Sequence, residues 1–377
     1  MKYFFTLGNH PELSVSEIKA KLTQLEIAFT TLIRDNSFFI IETETEIELV
    51  DLIDKLGGTI KAGEILFETK SINQSELLKQ IKVQEDKKNI FGISAYNCSL
   101  DFKKIGLGIK KELKNKDLSV RYVDSKENPL SSVIVQKEIL KKNGTELCIM
   151  KTGENFFVGR TVAVQNFQKY SHFDYDRPEV DNKKGMLPPK LATIMINLAE
   201  KNSDAVLYDP FCGNGTVLQQ AVLLGHKKVI GSDNDEEQID KTKKNLDWLK
   251  GQKIEFEEKL FHADSSIDST LEPSSVDLIV TEPYMGPPLR GNESYEKINE
   301  TVTKLKRLYQ DSFRQFSKIL KKDGSLIFII PSFIISERQF DINMTSILPK
   351  TFSAINQWQY ARENQRVVRN IYRIKKS

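Results

Sequence analysis

Residues Ala205–Thr216 read AVLYDPFCGNGT, and the fold follows from this stretch. Ala205-Val206-Leu207-Tyr208 is a short apolar run bounded by turn residues, the pattern of a buried strand. Asp209-Pro210 and Gly213-Asn214-Gly215 break it, and Val217–Gly225 follows with apolar residues at helical spacing and a closing glycine. Strand, glycine turn and helix in that order open a doubly wound α/β sheet. The glycines let backbone come close to a ligand, and the helix N-terminus favours polar or anionic groups. A dinucleotide fingerprint needs a third glycine where Leu218 stands. Here an acid, Asp209, sits at the strand end instead. A second strand, Lys228–Ser232, runs into Asp233, placed to accept hydrogen bonds from ribose hydroxyls. A third, Ile254–Phe261, ends near Asp264. One Asp at a strand end is as readily a helix N-cap; a series of them after a Gly-Asn-Gly turn points to a nucleoside site.

DPFCGNGT, the triplet Ser232-Asp233-Asn234 and the later Thr281-Glu282-Pro283-Tyr284 resemble the class I, S-adenosylmethionine-dependent methyltransferases that methylate amino groups. Gly185–Ala199 (GMLPPKLATIMINLA) and Tyr3–Leu22 (YFFTLGNHPELSVSEIKAKL) are similar to a narrower family, the THUMP-containing tRNA guanosine-10 N2-methyltransferases, and the resemblance covers nearly the whole chain. It implies a Rossmann-like, doubly wound and mostly parallel methyltransferase domain at 187–377. Before it come an α+β ferredoxin-like unit (1–71), a THUMP-like RNA-binding domain (72–165) and a linker (166–186). It also implies S-adenosylmethionine as cofactor. By the same resemblance Gly213 and Gly215 meet its amino-acid end, Asp233 and Asn234 the ribose, and Asp264 the adenine amino group. Asp209 and Phe211 line the site, and Pro188, in Leu187-Pro188-Pro189-Lys190, lies against the methionine end.

Bulk properties agree with a soluble globular protein. The chain has 377 residues, enough for two or three domains, with 39% hydrophobic and 28% charged residues. No run nears the ~18 apolar residues of a membrane span, and Met1-Lys2-Tyr3-Phe4-Phe5 is too short for a signal peptide. The expectation is a cytoplasmic protein with no membrane partner. Cys98, Cys148 and Cys212 lack C-x-x-C spacing, so neither a disulfide frame nor a metal site is expected. Cys212 reads as a small side chain packed under the turn. The net charge of +3 is uneven: −5 over 1–71 and +6 over 72–165, which turns the middle third towards a polyanion.

Residues 1–71 alternate strand and helix patterns, and Ser14 with Glu17 predicts a capping box. The unit is too acidic to face phosphates. In the middle third, Arg121–Leu140 (RYVDSKENPLSSVIVQKEIL) is similar to the THUMP core, a strand and polar turn before a helix starting at Ser131 or Ser132. That resemblance assigns the domain the 3′ end of tRNA. Arg121 and Lys126 are suited to phosphate, as are the hydroxyls and N–H groups of Ser131 and Ser132, whose other role is simple capping. Residues 166–186 show no periodicity. His172 stands there where the family has arginine, and with no acid partner in a motif it is not expected to be catalytic. Gln365–Lys375 alternates Val367, Arg369, Ile371 and Arg373, a final strand whose arginines either face RNA or protect a sheet edge.

The fourth strand, Val276–Val280, leads into TEPYMGPP (Thr281–Pro288). Amino-methylating relatives carry Asp/Asn-Pro-Pro-Tyr/Phe there. Aligning on Tyr284 puts Thr281 in the acid's place; aligning on the strand end puts Glu282 there and keeps Gly286 in line, and the second register is preferred. Glu282 and the Pro283 carbonyl then accept N–H bonds from the target amine. Tyr284 stacks on a base taken out of its stack. The expected activity is methylation of a guanine exocyclic amine (N2) in tRNA, near position 10. Two rivals stay open: a DNA amino-methyltransferase, and a non-catalytic SAM/RNA-binding protein with a degenerate active site. A small activator subunit would leave no signature in this chain.

Overall fold

The computed structural model describes residues 1–180, 186–267, 270–362 and 365–377, so Gly185 and most of the last third of the expected linker lie outside the described residues. The chain divides into two compact units, residues 1–18 with 26–167, and residues 19–25 with 168–377.

In the first unit, β1 (Lys2–Leu7), β2 (Thr30–Arg34), β3 (Phe38–Glu42), β4 (Thr59–Thr69), β5 (Asn89–Tyr96), β6 (Val120–Val123), β7 (Thr145–Thr152) and β8 (Asn155–Val164) form one sheet in the order β2-β3-β1-β4-β8-β7-β5-β6. Aromatic and β-branched residues make these strands, and β1 and β3 bury Phe4, Phe5, Phe38 and Phe39. Because β4 pairs antiparallel with β8, the boundary expected at residue 71 falls within one continuous sheet. Buried Lys61 on β4 crosses it too: its Nζ lies 2.7 Å from Glu146 Oε1 and donates to the Leu130 carbonyl at 2.8 Å. Thr161 donates to the other carboxylate oxygen, so the buried pair is compensated.

The capping box does not form. The helix starts at Pro11, a residue suited to a first turn, which leaves Ser14 and Glu17 in its interior. Ser14 Oγ donates to the Gly58 carbonyl (2.7 Å), and Glu17 accepts the N–H groups of Gly57 and Gly58, both at 2.8 Å.

The second unit contains β9 (Leu207–Asp209), β10 (Lys228–Asp233), β11 (Glu257–His262), β12 (Val276–Thr281), β13 (Leu320–Ile335), β14 (Arg338–Asp341), β15 (Phe352–Tyr360) and β16 (Val367–Lys376). Their order is β11-β10-β9-β12-β13-β16-β15, with β14 on β13. The strands from β11 to β13 run parallel. The order reverses between β9 and β12, which opens a crevice beyond their C-terminal ends. The amphipathic helix Tyr295–Ile319 packs Tyr309, Phe313 and Phe316 on Phe328 of β13.

Two expectations change here. β16 is an inner strand, antiparallel to both β13 and β15, so its arginines protect no edge. They make ion pairs instead, Arg369 with Glu282 and Arg373 with Glu200. Part of the expected linker is a helix, Phe167–Tyr175. On it His172 does have an acid partner: Asp176 Oδ2 lies 2.6 Å from Nδ1, and the ring sits 5.1 Å from that of Trp248.

Candidate active site

The crevice is built from strand ends. Asp209, at the end of β9, is 2% exposed, and its Oδ1 accepts Thr281 Oγ1 at 2.6 Å and the Phe211 N–H at 3.2 Å. Its carboxyl is raised to about 7: burial pushes it up most, the two hydrogen bonds pull it down, and the charges of Asp233 and Glu282 push it further up. Thr281 is fully buried, so its hydroxyl is committed to binding β12 to β9.

The glycine turn holds left-handed backbone, φ 51° at Gly213 and 83° at Gly215. A Cβ on Gly213 would meet nothing within 4 Å, so the space beside it is open, whereas on Gly215 it would lie 3.0 Å from Thr242 Cγ2. Thr242 Oγ1 donates to the Gly213 carbonyl (2.7 Å) and Asn245 Nδ2 to that of Asn214 (2.8 Å). Asp233 Oδ2 accepts the Gly213 N–H at 2.9 Å, and its Oδ1 accepts that of Asp235 at 3.1 Å. The acid read from the sequence as a ribose acceptor thus also fixes the turn. Sequence reasoning missed Thr242 and Asn245; Arg177, which resembles the family's pattern in the sequence, is buried and donates to Thr216 Oγ1 at 3.0 Å. The signal for the two missed residues was present: buried small polar residues three apart within the lysine-rich helix Glu236–Gly251.

The other candidates lie around this turn. Asn234 is exposed, and half-buried Asp264 accepts both the N–H and the hydroxyl of Ser266. Phe211 packs on the core, and Pro188 precedes the helix Pro189–Leu198. Cys212 is buried, which pushes its thiol well above its ordinary value and leaves it a packing group.

Glu282 is the first residue past β12. Its Oε1 accepts Arg369 Nε at 2.6 Å, with the two side chains 14% and 12% exposed. Burial raises its carboxyl and Arg369 lowers it. Pro283 is buried, and Tyr284 is 56% exposed with its carbonyl held by Tyr309 Oη at 2.7 Å. Glu282 and the glycine turn therefore flank the same strand-order reversal.

The residues expected to meet RNA lie in the first unit. Arg121 on β6 pairs with Glu138 at 3.0 Å, and Lys126 is exposed. Ser131 caps the short helix Ser132–Ile134, accepting the Ile134 N–H at 3.3 Å, and Ser132 opens that helix. Among the described residues no acidic, His or Cys cluster is fit to hold a metal, and no helix is long and apolar enough to cross a membrane.

Comparison with known proteins completes the picture. The sequence matches the RMKL-like methyltransferase domain over residues 177–345 and a DNA methylase model over 23–244. It is 27% identical over 227 residues to the tRNA (guanine(10)-N2)-dimethyltransferase of Methanocaldococcus jannaschii, an alignment covering 58% of this chain and 60% of that relative. It is 32% identical over 141 residues to the "Probable tRNA (guanine(10)-N2)-dimethyltransferase" of Methanothermococcus thermolithotrophicus, 37% of this chain and 78% of that one. In fold it is similar to TrmN from Thermus thermophilus, with a TM-score of 0.57 and 14% identity over 100% of both chains. It is also similar to SMU.472, "a putative methyltransferase complexed with SAH", with a TM-score of 0.51 and 12% identity over 98% of this chain and 97% of that one.

Proposed function

We propose that this chain, which belongs to the S-adenosylmethionine-dependent methyltransferase family that those archaeal relatives represent, methylates the N2 amine of a guanine in cytoplasmic tRNA, near position 10. The cofactor fits the residues present: Gly213 offers backbone beside open space, and Asp233 stands at the end of β10. When bound, S-adenosylmethionine supplies a methyl group activated on a sulfonium.

The observation that carries the reading is Glu282, a carboxylate at the strand-order reversal with Tyr284 exposed two residues on. An aryl amine is a weak nucleophile because its lone pair is delocalised into the ring. Accepting its N–H bonds on Glu282 and the Pro283 carbonyl localises that pair and accommodates the developing positive charge. A carboxylate offers acceptors only. Guanine places N1–H beside its N2 amine, two adjacent donors, whereas adenine and cytosine place an acceptor nitrogen there. Glu282 therefore suits guanine better than the bases of the DNA reading. The base leaves its stack to reach this loop, and stacking on Tyr284 contributes ~1–3 kcal/mol. Residues 72–165, THUMP-like in sequence and net +6, would hold the tRNA.

Mass spectrometry of tRNA nucleosides from cells with and without the gene tests the proposal. Loss of N2-methylated guanosine on deletion is expected. An unchanged nucleoside profile, with purified enzyme inert on that tRNA, would overturn it.

A further inference from the structure

We infer that Arg369 is a positioning residue for the transfer: from β16 it pins the Glu282 carboxylate that receives the substrate amine, an inference that rests on the function proposed above. The two residues are 87 apart in sequence and meet because β13 alone separates β12 from β16. Arg369 lies opposite Pro331 on β13, and its guanidinium reaches the residue just past the end of β12. Oε1 of Glu282 accepts from Arg369 Nε at 2.6 Å. A glutamate has several side-chain torsions to fix, and a charged donor at that distance fixes them.

The pair also matters for the proton. Glu282 is mostly buried, and besides its pair with Arg369 its charge is felt by the Asp209 carboxyl on β9 and the Tyr309 phenol on the helix Tyr295–Ile319. Desolvation favours a protonated Glu282. A protonated carboxyl presents an O–H to the amine and loses its power to accept from it. The Arg369 guanidinium beside Glu282 opposes this. Arg373, on the same strand, makes a similar pair with Glu200 but away from Glu282, which makes it the natural control.

The experiment uses full-length Arg369→Gln, Arg369→Lys and Arg373→Gln, with Glu282→Gln to assign the Glu282 side-chain carbon resonance. In Arg369→Gln the Glu282 titration midpoint should rise by roughly one pH unit or more. It should return part of the way in Arg369→Lys and stay put in Arg373→Gln. Single-turnover methylation of tRNA should follow: about one pH unit below the new midpoint the Arg369→Gln rate lies about tenfold under its own high-pH plateau and recovers as pH rises, with cofactor affinity unchanged. If Arg369→Gln does not fold, Arg369→Lys carries the same titration. A midpoint that does not move, or a rate lowered by one factor at every pH, overturns the inference. A midpoint that moves in an enzyme whose wild type never methylates tRNA leaves the pin standing and overturns the functional reading.

Discussion

Thr281 and Glu282 are neighbours whose side chains serve different ends. Thr281 donates inward to Asp209, so Thr281→Val leaves a buried carboxylate short of a donor. It should cost about 1–3 kcal/mol of stability, seen as a lower Tm, with little effect on transfer by the folded protein. Glu282→Gln should do the reverse, lowering single-turnover methylation ~10²–10⁴-fold while tRNA and cofactor affinity stay near normal. The opposite pattern would return the register to Tyr284. Asp209 adds a pH signature. Its carboxyl is raised to about 7, so its contribution to stability is full below the unfolded value near 4 and is lost as pH rises through about 7. Asp209→Asn keeps an acceptor for Thr281 and Phe211 but cannot ionise. Its Tm relative to wild type should therefore climb between about pH 4 and about pH 7 and level off above. Asp233 and Glu282 are also raised in the wild type, so the difference between wild type and variant is the quantity to measure. A difference that is flat with pH would show that Asp209 is ionised throughout.

At the scale of the element, the glycine turn should separate two effects that usually travel together. Both glycines have positive φ, which costs a side chain roughly 1–2 kcal/mol. Gly215→Ala adds a close approach to Thr242, 3.0 Å from the new methyl to Cγ2, whereas at Gly213 the methyl enters open space. Thermal melts should rank Gly215→Ala as the more destabilised. Calorimetry with S-adenosylmethionine should show Gly213→Ala losing affinity beyond what its modest loss of stability explains, because its methyl occupies the open side of the turn. Equal affinity in wild type and Gly213→Ala would remove the cofactor from that side. Asp233→Ala should weaken cofactor binding by ~1–3 kcal/mol and also loosen the turn, since the Gly213 N–H loses its acceptor.

Across the whole molecule, charge and topology decide how RNA binding is to be tested. Lys61 and Glu146 pair on either side of residue 71 within one sheet, so residues 72–165 are not a piece to be cut out. Charge reversal in the intact chain serves instead. Lys126→Glu with Arg121→Glu should weaken tRNA binding and lower the slope of log affinity against log salt by about 1 per lost phosphate contact, with cofactor affinity unchanged. An unaltered slope would take the RNA away from this face. The sequence by itself determined the strand, turn and helix of residues 205–225 and the acids at the strand ends, because hydrophobic period and backbone preference act within a few residues. It misread Ser14 and Glu17 as a local cap, because their partners Gly57 and Gly58 lie some forty residues on. It left the roles of Thr281 and Arg369 open for the same reason. The bonds from Thr281 to Asp209 and from Arg369 to Glu282 join residues far apart in the chain, and only the lateral order of the strands brings them together.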